Sequence, residues 1–247
     1  MKIVCLSGKG GAGKTLVAVN LAAAAGEAVY IDCDVEEPNG RLFLKPENVT
    51  EQIVSVLLPD FDPTGCTGCK RCVDFCRFNA LMYIREKPMV FPGICHSRGS
   101  LRVVTGILNP GEASGVPIIR EALKQAEGLT VIDCPPGSAC SVMESVIDAD
   151  YCVLVAEPTA FGFHNFKMVY KLVTLLDRKC GVIINKQEEP YEPLERFCAE
   201  KELTVLARIP YDMKIAALAG DGQVICDKDK RAGRLFTGIL EKIGGAA

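Results

Sequence analysis

Near its start the chain reads Gly8-Lys9-Gly10-Gly11-Ala12-Gly13-Lys14-Thr15, which matches the phosphate-binding pattern G-x-x-x-x-G-K-[ST]. We call this run the phosphate loop. An apolar run, residues 2–6, precedes it, and a stretch of helical character, residues 14–25, follows it. Glycines allow successive backbone N–H groups to turn toward phosphate oxygens, and the positive end of a helix dipole favours the same anion. The sequence therefore predicts a strand, a loop and a helix that bind the phosphates of a nucleotide.

The phosphate loop ends in two side chains with distinct predicted roles. Lys14 is expected to reach the β- and γ-phosphates, and the Thr15 hydroxyl is expected to bind Mg²⁺. Hydrolysis also needs acidic groups at the ends of other parallel strands, because ligands of open α/β sheets bind there. Asp34 is a candidate to orient the attacking water and Asp133 to support Mg²⁺, although a strand-end aspartate can instead cap the next helix. Asp32 is expected either to support the site from behind these residues or only to cap the next helix, and both interpretations stay open.

The rest of the chain alternates short apolar runs with helical stretches. The apolar runs are continuous, which is typical of strands buried on both faces of a parallel sheet. Repeated strand–helix order predicts an α/β fold with a doubly wound, mostly parallel sheet. A third strand is predicted over residues 53–58, and strand order is predicted to resume over residues 101–108. A last helix, residues 231–243, is predicted to pack its apolar face on the core.

Composition and charge exclude several classes of protein. The 247 residues are 49% hydrophobic and 24% charged with a formal net charge of −3, an ordinary globular balance. The slightly acidic charge argues against a nucleic-acid-binding surface. No apolar run reaches the roughly 18 residues of a membrane-spanning helix, and Met1 leads directly into the phosphate loop without a signal-peptide pattern. We therefore expect a cytoplasmic protein with no transmembrane segment and no nucleic-acid partner.

Residues 9–15 resemble the deviant Walker A motif of the MinD/ParA class of P-loop ATPases. This class includes the nitrogenase iron protein and the Mrp-type iron–sulfur carriers. Its mark is a second lysine early in the loop, which Lys9 matches. The resemblance implies that Lys9 crosses a dimer interface and touches the partner's nucleotide. It also implies a Mg²⁺-dependent ATPase that forms an ATP-dependent homodimer or a dimer with a related ATPase.

Further segments are similar to motifs of the same class. The segment from Asp32 through Asn39 resembles its switch I, and residues 133–137 resemble its switch II, in which the Gly137 amide would face the γ-phosphate. The strand end that contains Asn185 resembles the adenine-contacting segment, and Pro210 falls in a second base-side segment. The resemblance covers nearly the whole chain outside residues 60–100 and implies ATP as the nucleotide.

Cysteine usage indicates a second, separate feature. Of 13 cysteines, four are spaced C-x2-C-x2-C-x3-C, the spacing of a bacterial ferredoxin run, and a fifth follows: Cys66, Cys69, Cys72, Cys76 and Cys95. In a reducing cytosol such a cluster favours metal over disulfides. We predict a small inserted ferredoxin-like module over residues 60–100 and a P-loop ATPase domain formed by residues 1–59 and 101–247. Together these features resemble MinD-superfamily ATPases with an inserted ferredoxin domain.

The cysteine run departs from a full two-cluster ferredoxin. A second run laid on Cys95 places Arg98, Leu101 and Thr105 at the other ligand positions, and none of these supplies a thiolate. Thiolates therefore remain for one cluster at most, most simply a 4Fe–4S cluster held by Cys66, Cys69 and Cys72. The fourth ligand is open between Cys76, Cys95 and no protein group. A zinc site and a metal-free loop are the alternatives.

Two functions from different classes follow from these features. The first is an ATPase whose nucleotide cycle gates a metal cluster, by transferring it to an apoprotein or by passing electrons to a partner. The second is a regulatory or spatial-organisation ATPase whose insert binds a partner without a redox role. A ligase of related fold is a third reading, and Lys9 argues against it.

Overall fold

The computed structural model describes residues 1–54, 91–98, 100–109 and 114–246. The strands in these ranges are β1 (Lys2–Leu6), β2 (Val29–Asp32), β3 (Glu47–Val54), β4 (Phe91–Arg98), β5 (Leu101–Thr105), β6 (Thr130–Asp133), β7 (Tyr151–Ala156), β8 (Cys180–Gln187) and β9 (Thr204–Pro210). The helices are α1 (Lys14–Ala25), α2 (Gly40–Leu44), α3 (Val116–Leu123), α4 (Cys140–Val146), α5 (Ala160–Leu175), α6 (Glu192–Glu200), α7 (Met213–Gly220), α8 (Ile225–Lys228) and α9 (Lys230–Ala246).

The described strands form one nine-stranded sheet in the order β3-β4-β5-β2-β6-β1-β7-β8-β9. The seven strands from β5 to β9 in this order pair in parallel, whereas β3 and β4 add an antiparallel edge. Strand β1 lies near the centre, with β6 and β7 as neighbours. The prediction of an α/β fold with a doubly wound, mostly parallel sheet is confirmed.

Burial explains why the central strands are continuously apolar. On β1, Val4 and Leu6 face one hydrophobic core and Ile3 and Cys5 face the other, so every second side chain enters the same core. The first core is covered by α3, α4, α5 and α6, and the second by α1, α2, α8 and α9. A parallel sheet with helices on both faces leaves little room for polar side chains in its strands.

The last helix closes the second core against α1. Helix α9 buries Phe236, Ile239 and Ile243 on one face, as the spacing of these residues predicts. On the α1 side, the buried Asn20 accepts a hydrogen bond from the Cys226 N–H at 2.9 Å through its Oδ1. This contact fixes α8 against α1 and satisfies a polar group inside the core.

The antiparallel edge differs from the predicted strand boundaries. Strand β3 begins at Glu47 rather than at residue 53, because its first half is polar and hides the strand pattern. Strand β4 lies inside the 60–100 range, where Pro92 and Gly93 interrupt any apolar run. The boundaries of the inserted module stay a prediction, since Cys66, Cys69, Cys72 and Cys76 lie outside the described residues.

Candidate functional site

The phosphate loop joins the end of β1 to the first turn of α1 at the carboxyl edge of the sheet. Hydrogen bonds hold both of its ends. The Ser7 hydroxyl donates to the Lys9 carbonyl at 2.9 Å, and the Gly137 N–H donates to the Ser7 carbonyl at 3.0 Å. At the far end the Val17 N–H donates to the Gly13 carbonyl at 3.0 Å and begins the helix. The predicted strand–loop–helix order is therefore present in the fold.

Close approach and backbone conformation require glycine at two loop positions. A Cβ at Gly8 would lie 2.1 Å from the backbone carbonyl oxygen of Asn165 on α5. A Cβ at Gly13 would lie 2.1 Å from Nδ2 of Asn185, and the Gly13 φ of 91° lies in the left-handed region. Both glycines thus allow other elements to pack directly on the loop.

Lys14 is buried at the base of the loop and forms an ion pair with Asp133 at the end of β6. The Tyr30 hydroxyl donates to the other Asp133 oxygen at 3.0 Å. Burial opposes the charge on Lys14, but the attraction of Asp133 raises the Lys14 pKa above its ordinary value. The lysine is therefore charged and held in place under the loop.

Three aspartates lie around Lys14, namely Asp32, Asp34 and Asp133. Asp32 is fully buried, and burial together with the nearby charge of Asp133 raises the Asp32 pKa to about 8. Burial also raises the pKa of the half-buried Asp34. Lys14 is the cation that the described structure places among these three groups. Of these three aspartates, Asp133 pairs with Lys14 and Asp34 lines the cavity, and carboxylate oxygens are ligands that divalent cations accept.

Asp32 also determines the shape of the loop that carries Asp34. Its Oδ1 accepts the Asp34 N–H at 3.1 Å and its Oδ2 accepts the Gly40 N–H at 2.9 Å. One carboxylate thus holds both ends of residues 34–40, which we call the acidic loop. The side chain supports the site from behind and does not line its cavity. This geometry agrees with a supporting role behind the site, and because Gly40 is the first residue of α2, the same carboxylate also satisfies an N–H at the start of that helix.

A cavity of about 520 Å³ opens beside the phosphate loop, within the size range of small-molecule sites. Its walls are the phosphate loop, the acidic loop with α2, the end of β8, and α7 with the turn before it. The sequence-predicted residues that line the cavity are Lys9, Gly10, Gly11, Gly13, Lys14, Thr15, Asp34, Asn185 and Pro210. Residues from four separate segments of the chain therefore meet at one place.

Four predicted site residues lie just outside the cavity wall. Gly8 packs against α5, and Asp133 lies behind Lys14. Ala12 is buried, and its carbonyl accepts a hydrogen bond from Asn185. Gly137, predicted to face a γ-phosphate, instead donates its N–H to a carbonyl of the β1–α1 segment in this conformation.

The Lys9 side chain contacts residues of its own chain in this structure. Its ammonium pairs with Glu157 at 2.5 Å and stands 5.3 Å from the ring centre of Phe161 at the start of α5. Its side chain is about one-fifth exposed. The predicted reach into a partner subunit therefore requires this ion pair to open.

Of the predicted cluster ligands, only Cys95 lies within the residues that the structure describes. Cys95 lies in β4, where the backbone register pairs it with Thr50 of β3 and Val104 of β5. Leu101 and Thr105, which occupy ligand positions of the hypothetical second run, lie buried in β5 of the main sheet. Among the residues that the structure describes, no group of three or more His, Cys, Asp or Glu side chains is arranged around a metal ion.

Several residues that line the cavity were not predicted from the sequence. Leu42 and Phe43 come from α2, a short helix without a clear sequence signal. Tyr211, Asp212 and Ile215 come from the turn and helix after β9. The Asp212 side chain caps α7 by accepting the Lys214 N–H at 2.7 Å. An aspartate two residues after Pro210 is a helix-capping signal, and it could have predicted this wall of the cavity from the sequence.

Comparisons with known proteins agree with this fold. A family model described as the CobQ/CobB/MinD/ParA nucleotide binding domain matches residues 3–225. An iron-sulfur cluster carrier protein of Methanocaldococcus jannaschii is 28% identical and is matched over 98% of this chain and 83% of its own length. The structure of the cell division ATPase MinD of Pyrococcus furiosus has a TM-score of 0.66 at 21% identity, covering 100% of this chain and 99% of that one. MinD of Pyrococcus horikoshii complexed with Mg-ADP has a TM-score of 0.64 at 20% identity, covering 98% and 95%.

The fold and the loop define a P-loop nucleotide-binding protein of the α/β class. The chain belongs to the CobQ/CobB/MinD/ParA family, because that model matches most of its length. Members of this family are nucleotide-binding ATPases. In the part of the chain that the structure covers, no helix combines the length and apolar character needed to span a bilayer.

Proposed function

We propose that this protein is a Mg²⁺-dependent ATPase that works as a nucleotide-switched dimer and gates the transfer of an iron–sulfur cluster or of electrons. The observation that carries the ATPase part is the placement of Lys14 and Thr15 at one cavity with Asp34, directly in front of Asp133. A phosphate-binding loop, a hydroxyl and two strand-end carboxylates are the groups that phosphoryl transfer needs.

Magnesium fits the oxygen donors at this place. Mg²⁺ prefers hydroxyl, carboxylate and water oxygens and is held by one or two side chains together with nucleotide phosphates. Thr15 and Asp133 would hold it. When bound, the ion supplies charge neutralisation at the β- and γ-phosphates.

Residues of the chain itself would bind the phosphates, orient the attacking water and respond to the nucleotide. Lys14 would bind the terminal phosphates, for which its contact with Asp133 must loosen. Asp34 would orient the attacking water from the acidic loop. The Gly137 N–H would exchange its Ser7 carbonyl partner for a phosphate oxygen, so nucleotide would move the segment after β6. This exchange would couple nucleotide binding to the switch.

The metal part of the proposal is supported by the cysteine spacing and by the named relative. The relative from Methanocaldococcus jannaschii is called an iron-sulfur cluster carrier protein. In this chain the run from Cys66 to Cys76 has the spacing of a ferredoxin cluster. A cluster held there would be cargo for an apoprotein or a relay to an electron-transfer partner.

A regulatory ATPase is the second candidate. It is favoured by the likeness to MinD structures and by Leu101 and Thr105, which pack in the main sheet where a second cluster would need ligands. In this case the segment between β3 and β4 would bind a partner and hold no redox centre.

Iron analysis and phosphate release separate these candidates. After anaerobic isolation we expect about four irons or fewer per chain, together with sulfide, and loss of both in Cys69→Ala. Cys140→Ala, which changes an exposed cysteine of the main domain, is the matched control. Asp34→Asn should keep ATP binding and slow phosphate release by roughly a hundredfold. Protein without iron but with ATPase activity would favour the regulatory candidate, and wild type without phosphate release would contradict the ATPase.

A further inference from the structure

Two consecutive side chains at the end of β8 contact the phosphate loop, and the proposed hydrolysis does not use these contacts. Asn185, which is 2% exposed, donates from Nδ2 to the Ala12 carbonyl at 2.8 Å. Lys186, which is exposed, donates from Nζ to the Gly11 carbonyl at 2.7 Å. Two neighbouring residues of one strand thus hold two neighbouring carbonyls of the loop.

Peptide planarity converts these contacts into an orientation of N–H groups. In a trans peptide the C=O and the N–H of one unit point in opposite directions, and the described residues contain no cis peptide. A Gly11 carbonyl held toward Lys186 turns the Ala12 N–H away from β8. An Ala12 carbonyl held toward Asn185 does the same for the Gly13 N–H. Such N–H groups are the ones that a phosphate loop offers to phosphate oxygens.

The backbone of β8 is distorted where Lys186 makes its contact. Lys186 has a φ of 59°, in the left-handed region that lysine seldom adopts. The pairing of β8 with β9 also shifts register between Ile184 and Gln187. A left-handed residue other than glycine is strained, and it persists where surrounding contacts hold it. The contact with Gly11 is one such interaction.

We propose that Lys186 is a positioning residue that, together with Asn185, orients the Ala12 and Gly13 N–H groups toward the phosphates. The inference rests on the proposed nucleotide function. It gives a second role to the end of β8, which resembles a base-contacting segment. In this arrangement Lys186 serves the phosphates through the loop backbone and does not contact the nucleotide itself.

The sequence allows the Gly11 carbonyl to be observed selectively by NMR. Only two places in the chain have glycine followed by alanine, Gly11–Ala12 and Gly245–Ala246. Labelling glycine carbonyls with ¹³C and alanine amides with ¹⁵N therefore leaves two correlations in an HNCO spectrum. The first reports the carbonyl that Lys186 contacts, and the second is an internal reference at the end of α9.

The test compares Lys186→Met, which keeps much of the stem but removes the donor, with Lys186→Arg, which keeps a donor. In nucleotide-free protein we expect Lys186→Met to move the Gly11–Ala12 signal and leave the Gly245–Ala246 signal in place. By calorimetry it should bind Mg·ATP about tenfold more weakly. Lys186→Arg should recover most of both effects. Lys171→Met, at an exposed lysine of α5, should change neither.

If wild type binds ATP, every other result overturns the inference. An unmoved Gly11–Ala12 signal with normal ATP affinity means that the contact is incidental. An unmoved signal with weaker ATP binding means that Lys186 contacts the nucleotide directly. If wild type does not bind ATP, the proposed function fails, while an HNCO shift in Lys186→Met that Lys186→Arg reverses would still support the loop contact.

Discussion

Gly13 and Gly10 lie in the same phosphate loop but differ in what a side chain would meet there. At Gly13 the backbone is left-handed and an added Cβ would lie 2.1 Å from the Asn185 amide nitrogen. At Gly10 an added Cβ would find no heavy atom within 4 Å. At the scale of single residues, the motif therefore contains glycines that the fold requires and glycines that it tolerates.

Gly13→Ala should therefore destabilise the protein by about 1–3 kcal/mol, because it combines backbone strain with a steric clash. Gly10→Ala is the matched control and should stay within about 0.5 kcal/mol of wild type. Urea unfolding of nucleotide-free protein gives both values. Equal effects of the two substitutions would show that the contact between the loop and Asn185 does not determine the loop's shape.

At the scale of elements, the acidic loop depends on one carboxylate. Asp32 accepts the N–H groups of Asp34 and Gly40, which begin and end that loop. In Asp32→Asn one acceptor oxygen becomes an NH₂ group that faces a backbone N–H, so one end of the loop is released. The position of Asp34 in the cavity should then become variable, although Asp34 itself is unchanged.

We therefore expect Asp32→Asn to slow ATP hydrolysis by at least tenfold while changing ATP affinity by less than threefold, because the phosphate loop is retained. Asp148→Asn, at an exposed position, serves as the control. Single-turnover phosphate release and calorimetry provide the two numbers. A loss of affinity that matches the loss of rate would mean that Asp32 supports the phosphate loop rather than the acidic loop.

Sequence patterns predicted some elements well and others poorly, for physical reasons. The central strands and the phosphate loop are predictable because burial on both faces and phosphate chemistry restrict their residues. Strand β4 is not, because Pro92 and Gly93 are tolerated near an antiparallel edge and break the apolar pattern. Within the site, Asp34 follows from the motif, whereas the contact of Lys186 with Gly11 depends on strand register and a left-handed residue that no local pattern reveals.

At the scale of the whole molecule, Lys9 connects the nucleotide site to assembly. In the single chain it pairs with Glu157 beside Phe161. The same ammonium cannot hold this pair and reach a partner's phosphate. Dimer formation would therefore exchange an intrachain ion pair for a contact between subunits, and the phosphate charge would favour the exchange.

Lys9→Ala should keep ATP binding within about threefold of wild type, since Lys14 remains, but should lose ATP-dependent dimerisation. Glu157→Gln should have the opposite effect and promote the dimer, because it frees Lys9 without removing it. Light scattering of each variant with Asp34→Asn added, which slows ATP loss, measures the assembly. A normal ATP-dependent dimer of Lys9→Ala would refute the role between subunits.

The central claim is that Mg·ATP binds at the cavity beside the phosphate loop through Lys14 and Thr15. Isothermal titration calorimetry with Mg·ATP tests it most directly, using wild type, Lys14→Ala and Thr15→Ala, with Lys171→Ala as the control. We predict one ATP per chain for wild type and control, no detectable binding for Lys14→Ala, and for Thr15→Ala an affinity that no longer depends on Mg²⁺. Thr15→Ala retains the Lys14–Asp133 pair and so remains informative if Lys14→Ala fails to fold. Wild-type affinity in both variants, or no binding by wild type, would contradict the account.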